Sequence, residues 1–525
     1  MIVKDKFGTL HVLLLMLYLG GLATFLVVRL NGLWGENDMS VLAEIIQSML
    51  NSAELVPSDA YSQGYGYPVI ATFLIRATGV STAQFQMLLV PLLSVWLVLP
   101  AWLFYRELLR NERMASLATA LLLIQPELLF VVLRSSHEKF TRGLMLLGYY
   151  ILLRSLRSRN RLTTFGGLVL GFYMVCYSLI TVNNLIANSY IVGTGIAVGL
   201  MLLIHRFVDD SSRVSPHLFR RLIYVLGSMF LIAFIFTYYL YEPASISLSL
   251  YSTATERVSV LVLNIISLGS RTNAVNPYQV VVTNWPSTSV YLLLSGANWV
   301  MLVSSALLWA YTTYQLFRKQ IVLSQLQWLL WSLYAAYAGL TAAAIAIDAS
   351  GFLGANLQLR IFPAFGMLAA PMIAQFIQLP PHWKPVKKRA FATLSGALLT
   401  IVCVLSIIKA TNEPTVSNNW IFATTQEVRA LDWIREHGLR GELWTDYNER
   451  LNKIYKLLNV ANPRSSNVRF TYQAPLAANI VVSDLVRLRS ERFNRPLPGN
   501  LDDLHVYDNG TTDVYHRRPK TAYEQ

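Results

Sequence analysis

Residues 32–50 read GLWGENDMSVLAEIIQSML and follow directly on the first long apolar segment of the chain. Glu36 and Asp38 lie about one helical turn past the end of that segment. After the two acids, apolar residues recur at the spacing of one helix face: Val41, Leu42, Ile45, Ile46 and Met49. The pattern predicts an amphipathic helix in a membrane interface, with Glu44 and Gln47 on its polar side. The stretch therefore predicts carboxylates held at the surface of a bilayer.

The composition indicates a polytopic membrane protein. Of the 525 residues, 54% are hydrophobic and 14% are charged, and a soluble protein cannot bury so much apolar surface. The formal net charge is +14, but Lys and Arg fall mostly in short loops between apolar segments. Their position indicates membrane topology rather than a nucleic-acid partner. Cys176 and Cys403 lie inside apolar segments and are expected to pack as small hydrophobic residues.

The predicted fold class is a polytopic α-helical membrane protein with eleven transmembrane helices. Each apolar span is about 17–25 residues long, which matches roughly 30 Å of hydrocarbon. The spans lie near 9–30, 84–105, 114–132, 140–156, 164–182, 188–206, 222–241, 289–316, 325–346, 361–378 and 390–409. The segment 65–80 is shorter, and we expect it to touch the membrane surface without crossing.

Charges in the loops predict the orientation of the chain. Short basic loops alternate with the eleven spans, which puts the N-terminus inside and the C-terminus outside. The segments 31–83, 242–288 and 410–525 are long and fall on the outer side, together with the short loop 133–140. Because binding and catalytic residues concentrate on loops, we expect the functional site on the outer face of a plasma (inner) membrane.

The chain is predicted to divide at 409, after a transmembrane catalytic domain of residues 1–409. Residues 410–525 are polar and mixed in charge, which indicates a small extracytoplasmic α/β domain. Thr424 and Glu427 form a capping box that opens a helix. The stretches GELWTD (441–446) and NIVVSD (479–484) read as buried strands. Residues 505–516, HVYDNGTTDVYH, predict a hairpin with its turn at Asp508-Asn509-Gly510.

A second charged stretch, LRSSHEKFTRG (133–143), separates the third and fourth spans. Its charged or titratable residues are Arg134, His137, Glu138, Lys139 and Arg142. Cations on the outer side run against the positive-inside bias, and charges at membrane depth mark functional or paired sites. The alternative interpretation is a rim of snorkelling side chains.

Two further groups suit an amphiphilic, anionic substrate. Tyr61, Tyr65 and Tyr67 lie in PSDAYSQGYGYP (57–68), whose aromatic faces and hydroxyls suit a sugar or headgroup, or else form an interfacial aromatic belt. Arg360, at the outer start of the tenth span, can fork onto a phosphate or anchor a helix end. Arg271 in the loop 242–288 is a weaker candidate for the same role.

In their order along the chain, these motifs resemble the GT-C superfamily of integral membrane glycosyltransferases. The motifs are END with LAEIIQSML, then GYGYP, HEKFTRGLMLLGYYILLRSL, RIFPAF, TQEVRALDWIREHG and VYDNGTTDVY. The resemblance covers most of the chain and is to prokaryotic members of the protein mannosyltransferase or aminoarabinose transferase type.

The resemblance implies an inverting enzyme that uses a polyprenyl-phosphate-linked sugar and a glycan, lipid or protein acceptor. Asp38 or Glu36 would be the catalytic base, and Glu138 would orient a cation or the acceptor. Donor phosphate would meet Arg360, Lys139, Arg134 and Arg271, and the sugar or acceptor would meet Tyr61, Tyr65, Tyr67 and His137. The paired Asp-Glu of protein mannosyltransferases is absent, which leaves the choice of base open.

The resemblance does not settle metal dependence. A divalent cation, Mg²⁺ or Mn²⁺, would be held by Asp38 and Glu138. The oligosaccharyltransferase signature that begins WWD does not occur in the sequence, so en bloc transfer to asparagine is not expected. The alternatives are a lipid-linked glycan ligase or polymerase, and a flippase or transporter without covalent chemistry. Nearly charge-free span interiors argue against transport.

Overall fold

The computed structural model combines a body of long helices with a small domain built on a mixed sheet. It describes residues 6–33, 37–52, 61, 63–157, 162–205, 216–244, 256, 259, 288–349, 357–376, 385–414, 420–437, 441–444, 449–461, 469–471, 477–494, 496–497 and 504–517.

The helical body holds fifteen described helices. In chain order they are α1 (Lys6–Arg29), α2 (Asn37–Ser52), α3 (Gly66–Thr78), α4 (Thr82–Leu109), α5 (Glu112–Leu123), α6 (Pro126–Leu133), α7 (Glu138–Arg157), α8 (Leu162–Val182), α9 (Asn184–His205), α10 (Pro216–Ile235), α11 (Thr288–Leu294), α12 (Gly296–Phe317), α13 (Gln325–Ala349), α14 (Leu357–Phe376) and α15 (Pro385–Ala410). Each of the eleven predicted spans falls on one or two of these helices.

Seven helices of the described chain are long and apolar enough to cross a membrane, and an eighth span is formed if a bent pair counts as one. The seven lie in α1, α4, α9, α10, α12, α13 and α15. The multi-pass character is thus confirmed, whereas the count of eleven is not. The predicted spans 140–156, 164–182 and 361–378 are helical but do not meet the same length and hydropathy limits.

The predicted span 114–132 is two helices, α5 and α6, that meet at an angle of 76°. Gln125 has an extended backbone (φ −72°, ψ 120°) because Pro126 follows it, and a residue before proline is pushed out of the helical region. A hydrogen bond of 2.7 Å from Lys409 to Glu127 fastens α6 to α15. The bend directs α6 toward Arg134, at the end of the body where α1 ends and α7 begins.

Helices α2 and α3 pack together at that same end. Met39, Leu42 and Ile46 of α2 are buried, and Glu44 lies on the polar side as expected. Val41 was assigned to the apolar face, but its side chain is 40% exposed. It precedes Leu42 by one residue and therefore points about 100° away from it around the helix. The short α3 agrees with a segment that does not cross.

The C-terminal domain contains α16 (Thr425–Glu436), α17 (Glu449–Leu458) and α18 (Asp484–Phe493) around a five-stranded sheet. Its strands are β1 (Glu442–Trp444), β2 (Arg469–Thr471), β3 (Ala477–Ser483), β4 (His505–Asp508) and β5 (Thr512–His516), in the order β2-β1-β3-β5-β4. Strand β1 runs parallel to β2 and β3, and β5 pairs antiparallel with β3 and β4. The predicted strands, capping box and Asn509-Gly510 hairpin are confirmed.

The domain contacts the helical body around α2. The Ala423 amide donates to the Leu33 carbonyl at 3.0 Å, and α17 packs on α2. Lys456 on α17 lies 3.4 Å from Glu44 on α2. The helix that carries Asp38 is therefore held between the helical body and the C-terminal domain.

Candidate functional site

A break in α4 fixes the loop that precedes α7. The N–H of Val90 bonds a carbonyl five residues back, which makes this part of α4 a π-helical turn. In this i to i+5 bonding pattern, the carbonyl of Gln86 would accept from the N–H of residue 91. Residue 91 is a proline, which has no N–H to donate. The Ser135 hydroxyl donates to this carbonyl instead, and the Lys139 ammonium donates to the carbonyl of Val90. Both ends of the segment 135–139 are thus hydrogen-bonded to the break in α4.

Arg134 lies between two carboxylates from distant parts of the chain. Its Nη2 is 2.9 Å from Glu138 Oε1 and 3.7 Å from Asp38 Oδ2. Asp38 stands in the first turn of α2, and Glu138 is the first residue of α7. The structure therefore brings the acid of the first loop and the charged stretch 133–143 together.

The two carboxylates differ in accessibility. The side chain of Asp38 is 22% exposed, whereas that of Glu138 is 3% exposed. Asp38 is therefore the more accessible of the two acids, while Glu138 is almost enclosed by the surrounding protein.

Two more arginines complete what we call the acid–arginine cluster (Asp38, Arg134, Glu138, Arg142 and Arg360). Arg142 is fully buried, and its Nη2 donates to the carbonyl of Arg360. The guanidinium of Arg360 is half-buried and has no hydrogen-bond or ion-pair partner within the described part of the chain. It is therefore a cation available to an anionic ligand.

Tyr61 and His137 form an uncharged side of the site. Their rings meet edge to face with centroids 5.4 Å apart. Burial raises the pKa of the Tyr61 hydroxyl, and the negative charge of Asp38 raises it further. Burial lowers the pKa of the His137 imidazole, which keeps it neutral at pH 7. Both side chains can then offer neutral hydrogen-bonding groups to a polar ligand.

Three other residues that the sequence predicted for the site, Tyr65, Tyr67 and Lys139, bond to other parts of the protein. The Tyr67 hydroxyl is buried and donates to Gln86 at 2.9 Å, and the Tyr65 hydroxyl lies 3.0 Å from that of Tyr177. Lys139 is fully buried, and its ammonium donates to the carbonyl of Val90. We therefore leave these three out of the ligand-binding set. Glu36 and Arg271 lie outside the described residues.

Sequence reasoning missed two polar residues that position the uncharged side. The Asn183 amide nitrogen lies 2.7 Å from His137 Nε2. The Tyr241 hydroxyl donates to the carbonyl of Tyr61 at 2.5 Å. The stretch TVNNLIAN (181–188) contained a signal for the first of these, since two adjacent asparagines interrupt an otherwise apolar run.

A different group of side chains has metal-ligand spacing. His505, Asp508 and Asp513 in the C-terminal domain place their ligand atoms within 4.8 Å of one another. Asp513 is already paired with Arg487 and with His505, whose Nε2 is 3.0 Å from Asp513 Oδ1. These existing contacts compete with a metal ion for the same carboxylate.

One cavity of about 370 Å³ opens at the opposite end of the body, between the α4–α5 turn and α13. Its lining includes Arg110, Asn111, Ser324 and Gln327. No residue of the acid–arginine cluster lines it, so it belongs to a separate region of the molecule.

No protein-family model and no curated protein sequence matches this chain. The oligosaccharyltransferase AglB from Archaeoglobus fulgidus, in complex with an inhibitory peptide and a dolichol-phosphate, aligns over 89% of this chain and 65% of its own at 13% identity, with a TM-score of 0.55. A complex of the Archaeoglobus fulgidus oligosaccharyltransferase with Zn and sulfate aligns over 89% and 68% at 12% identity, with a TM-score of 0.51.

ArnT from Cupriavidus metallidurans, bound to undecaprenyl phosphate, aligns over 98% of both chains at 13% identity, with a TM-score of 0.49. The chain spans about two thirds of the length of the matched oligosaccharyltransferase chains. The likeness to those chains concerns the fold, and it agrees with the order of motifs along the sequence. The chain shares the fold of the Archaeoglobus fulgidus oligosaccharyltransferase.

Proposed function

We propose that the protein is an inverting glycosyltransferase that moves a sugar from a polyprenyl-phosphate-linked donor to an acceptor hydroxyl. The observation that carries the proposal is the acid–arginine cluster, which combines an accessible carboxylate, Asp38, with the guanidinium of Arg360, which has no partner among the described residues. A base and a phosphate-binding cation are the two groups that such a reaction needs. The fold is also that of an enzyme whose structure holds a dolichol-phosphate.

In the proposed reaction, Asp38 accepts the proton of the acceptor hydroxyl as its oxygen attacks the anomeric carbon of the donor sugar. The bond between that carbon and the phosphate oxygen breaks, and polyprenyl phosphate leaves with the electron pair. Arg360 neutralises the departing phosphate through a forked contact. A single displacement of this kind inverts the configuration at the anomeric carbon.

The remaining residues are proposed to position the reactants. Glu138 holds Arg134, which in turn fixes the carboxylate of Asp38. Tyr61 and His137 face the sugar or the acceptor with neutral groups, because burial keeps the tyrosine protonated and the histidine neutral. Arg142 holds the start of α14, and with it Arg360, through the Arg360 carbonyl.

We place the site on the extracytoplasmic face of a plasma membrane. The support is the alternation of short basic loops with apolar spans in the sequence. In that orientation the lipid tail of the donor would lie along the exposed apolar helices, and the C-terminal domain would cover α2 from the water side. The domain is then suitably placed to contact an acceptor.

A larger acceptor, as in a lipid-linked glycan ligase or polymerase, would use the same charges. A flippase or transporter is the other alternative. Glu127 is an acid within the helical body, but it is paired with Lys409 at 2.7 Å, and Lys409 also bonds Ser295 at 2.9 Å. Such a pair fastens helices together and supports a structural role rather than a transport path.

The proposal is tested with purified protein in lipid nanodiscs and a panel of polyprenyl-phosphate sugars carrying a radiolabel. We expect transfer or release of the label, with inversion measured by NMR of the product. Asp38→Asn should lower transfer by about 10²–10⁴-fold, and Glu44→Gln on the same helix is the matched control, because Glu44 faces away on the polar side. Full turnover by Asp38→Asn would refute the role of Asp38 as the base. If the unmodified protein does not transfer the sugar either, the proposed function is refuted.

A further inference from the structure

The position of Arg134 bears on whether this site takes a metal ion. The sequence leaves open a divalent cation shared by Asp38 and Glu138. In the structure, a single nitrogen of Arg134 lies against both carboxylates, at 3.7 Å and 2.9 Å. The guanidinium therefore occupies the space between the two acids where a shared metal ion would have to bind.

The charge balance also disfavours a metal ion. Glu138 interacts electrostatically with three guanidinium groups, those of Arg134, Arg142 and Arg360. The cluster contains two carboxylates, those of Asp38 and Glu138, so its net charge is already positive. A divalent cation prefers several carboxylate or carbonyl oxygens within about 2.0–2.6 Å, and here it would meet three like charges instead.

Arg134 is held in this position by several contacts. Its guanidinium stacks over the ring of Phe130 at 4.9 Å, and its side chain is 11% exposed. The pair with Glu138 spans one helical turn. The residue that follows it, Ser135, is anchored to the break in α4. The side chain cannot move aside for an ion without losing these contacts.

We propose that Arg134 is a built-in replacement for a divalent cation, and that the acid–arginine cluster works without metal. Arg134 neutralises the two carboxylates and fixes their separation, which are the tasks that a shared ion would perform. The inference that catalysis is metal-independent rests on the proposed function. The inference that the cluster excludes metal does not.

The test is Mn²⁺ binding to the full-length protein, measured by electron paramagnetic resonance. All variants carry Asp508→Asn and Asp513→Asn, which remove both carboxylate ligands of the candidate group in the C-terminal domain from the measurement. We expect no Mn²⁺ bound at the cluster in the protein with Arg134 intact. Arg134→Ser should gain one site, because two carboxylates then face each other without a cation, and adding Asp38→Asn should remove that site.

Arg154→Ala is the matched control, because Arg154 pairs with Glu107 at 3.6 Å, outside the acid–arginine cluster, and its loss should create no site at the cluster. Mn²⁺ bound to the protein with Arg134 intact and lost in Asp38→Asn would overturn the proposal. So would a folded Arg134→Ser protein that gains no site. If Arg134→Ser does not fold, the measurement with Arg134 intact decides alone.

Activity supplies a second readout. With Arg134 intact, turnover should be unchanged by EDTA, and turnover of Arg134→Ser should be low and rise at least tenfold with Mn²⁺. Inhibition of the intact enzyme by EDTA, reversed by Mn²⁺, would overturn metal independence. Absence of any transfer would refute the proposed function and leave the metal-binding result valid.

Discussion

Two carboxylate–arginine groups in this molecule differ in how completely their polar atoms are hydrogen-bonded. In the C-terminal domain, Glu427 is fully buried and takes two bonds from Arg450, at 2.7 Å and 3.0 Å. It also accepts from the Ser483 hydroxyl at 2.5 Å and from the Thr424 N–H at 2.8 Å. Every lone pair that the carboxylate presents is used by the protein itself.

The acid–arginine cluster is unsaturated by comparison. Glu138 Oε2 has no hydrogen-bond partner among the described residues, and Asp38 keeps an exposed face. Arg360 has no side-chain partner in the same part of the chain. Buried polar groups left incomplete are costly, so they persist where a ligand completes them. The comparison teaches that saturation distinguishes a structural ion pair from a site.

The largest expected effect is the loss of transfer activity when Asp38 of the acid–arginine cluster is replaced. Asp38→Asn should lower transfer by about 10²–10⁴-fold, the contribution typical of a positioned general base. Its thermal stability should stay near that of the unmodified protein, because Asp38 is partly exposed. Turnover and thermal unfolding on the same preparation check both expectations. A large loss of stability in Asp38→Asn would show that the cluster is structural after all.

The opposite result, a loss of stability without a loss of activity, is expected for the Glu427–Arg450 pair in the C-terminal domain. Arg450→Ala should lower the free energy of unfolding of this domain by about 3–5 kcal/mol, because it strands the buried charge of Glu427. Hydrogen exchange of β3 in the full-length protein measures the loss. Transfer by the fraction that remains folded should be unaffected. Unchanged exchange of β3 would contradict the view that the pair is structural.

Substitution of Arg360 has the next largest expected effect on turnover. Arg360→Ala should reduce turnover roughly 10- to 100-fold, equivalent to the loss of about 1.5–3 kcal/mol from hydrogen bonds to a charged ligand. Arg360→Lys should recover part of the loss, since it keeps the charge without the fork. Equal turnover in the Ala variant and the unmodified enzyme would remove Arg360 from the site. Polyprenyl-phosphate sugar is the substrate in both measurements.

Acid should weaken the saturated pair. Burial alone raises the pKa of Glu427, but Arg450 and the hydrogen bonds from Arg450, Ser483 and Thr424 outweigh it and hold the pKa below the ordinary value. The stabilisation is therefore complete above the unfolded-state pKa of about 4.3 and is lost as the pH falls below it. Hydrogen exchange of β3 at pH 7 and pH 4 should show this loss, and Glu427→Gln should show less pH dependence. An equal pH dependence in both proteins would contradict the assignment.

The smallest effect is expected at the surface pair of Glu44 and Lys456, which are each about half exposed. Lys456→Ala should change the free energy of unfolding by less than about 1 kcal/mol, as exposed pairs usually do. Transfer should also remain close to normal. A large drop in turnover would reveal that contact between α17 and α2 controls Asp38, which would extend the site into the C-terminal domain.

Local patterns predicted the elements well, and contacts between distant segments could not be read from them. The capping box at Thr424 and Glu427 lies within one turn, so the sequence contains all of it. Arg450 and Ser483 complete that carboxylate from elsewhere in the domain, and no local pattern indicates them. The bend at Gln125 was readable from Pro126, whereas the π-helical break in α4 depends on how Ser135 and Lys139 pack against it.

The candidate site shows the same division. Glu36, Asp38, Arg134 and Glu138 were singled out because charges at membrane depth are rare. Which of them are accessible could not be predicted, because exposure depends on packing between α2 and α7. Lys139 shared the charge and position of its neighbours, yet its side chain points into the break in α4. The sequence therefore identified a charged region, whereas the contact that each side chain makes within it depends on the packing.

The bond from Arg142 to the carbonyl of Arg360 has a consequence for biosynthesis. It joins residues 218 positions apart, and the chain is made from its N-terminus. Asp38 and Glu138 enter the membrane early, together with Arg134 and Arg142, and these four charges balance. The surplus positive charge appears only when α14 is inserted. Nascent chains that end before α14 would therefore lack Arg360, and under the proposed function they could not yet bind the phosphate of the donor.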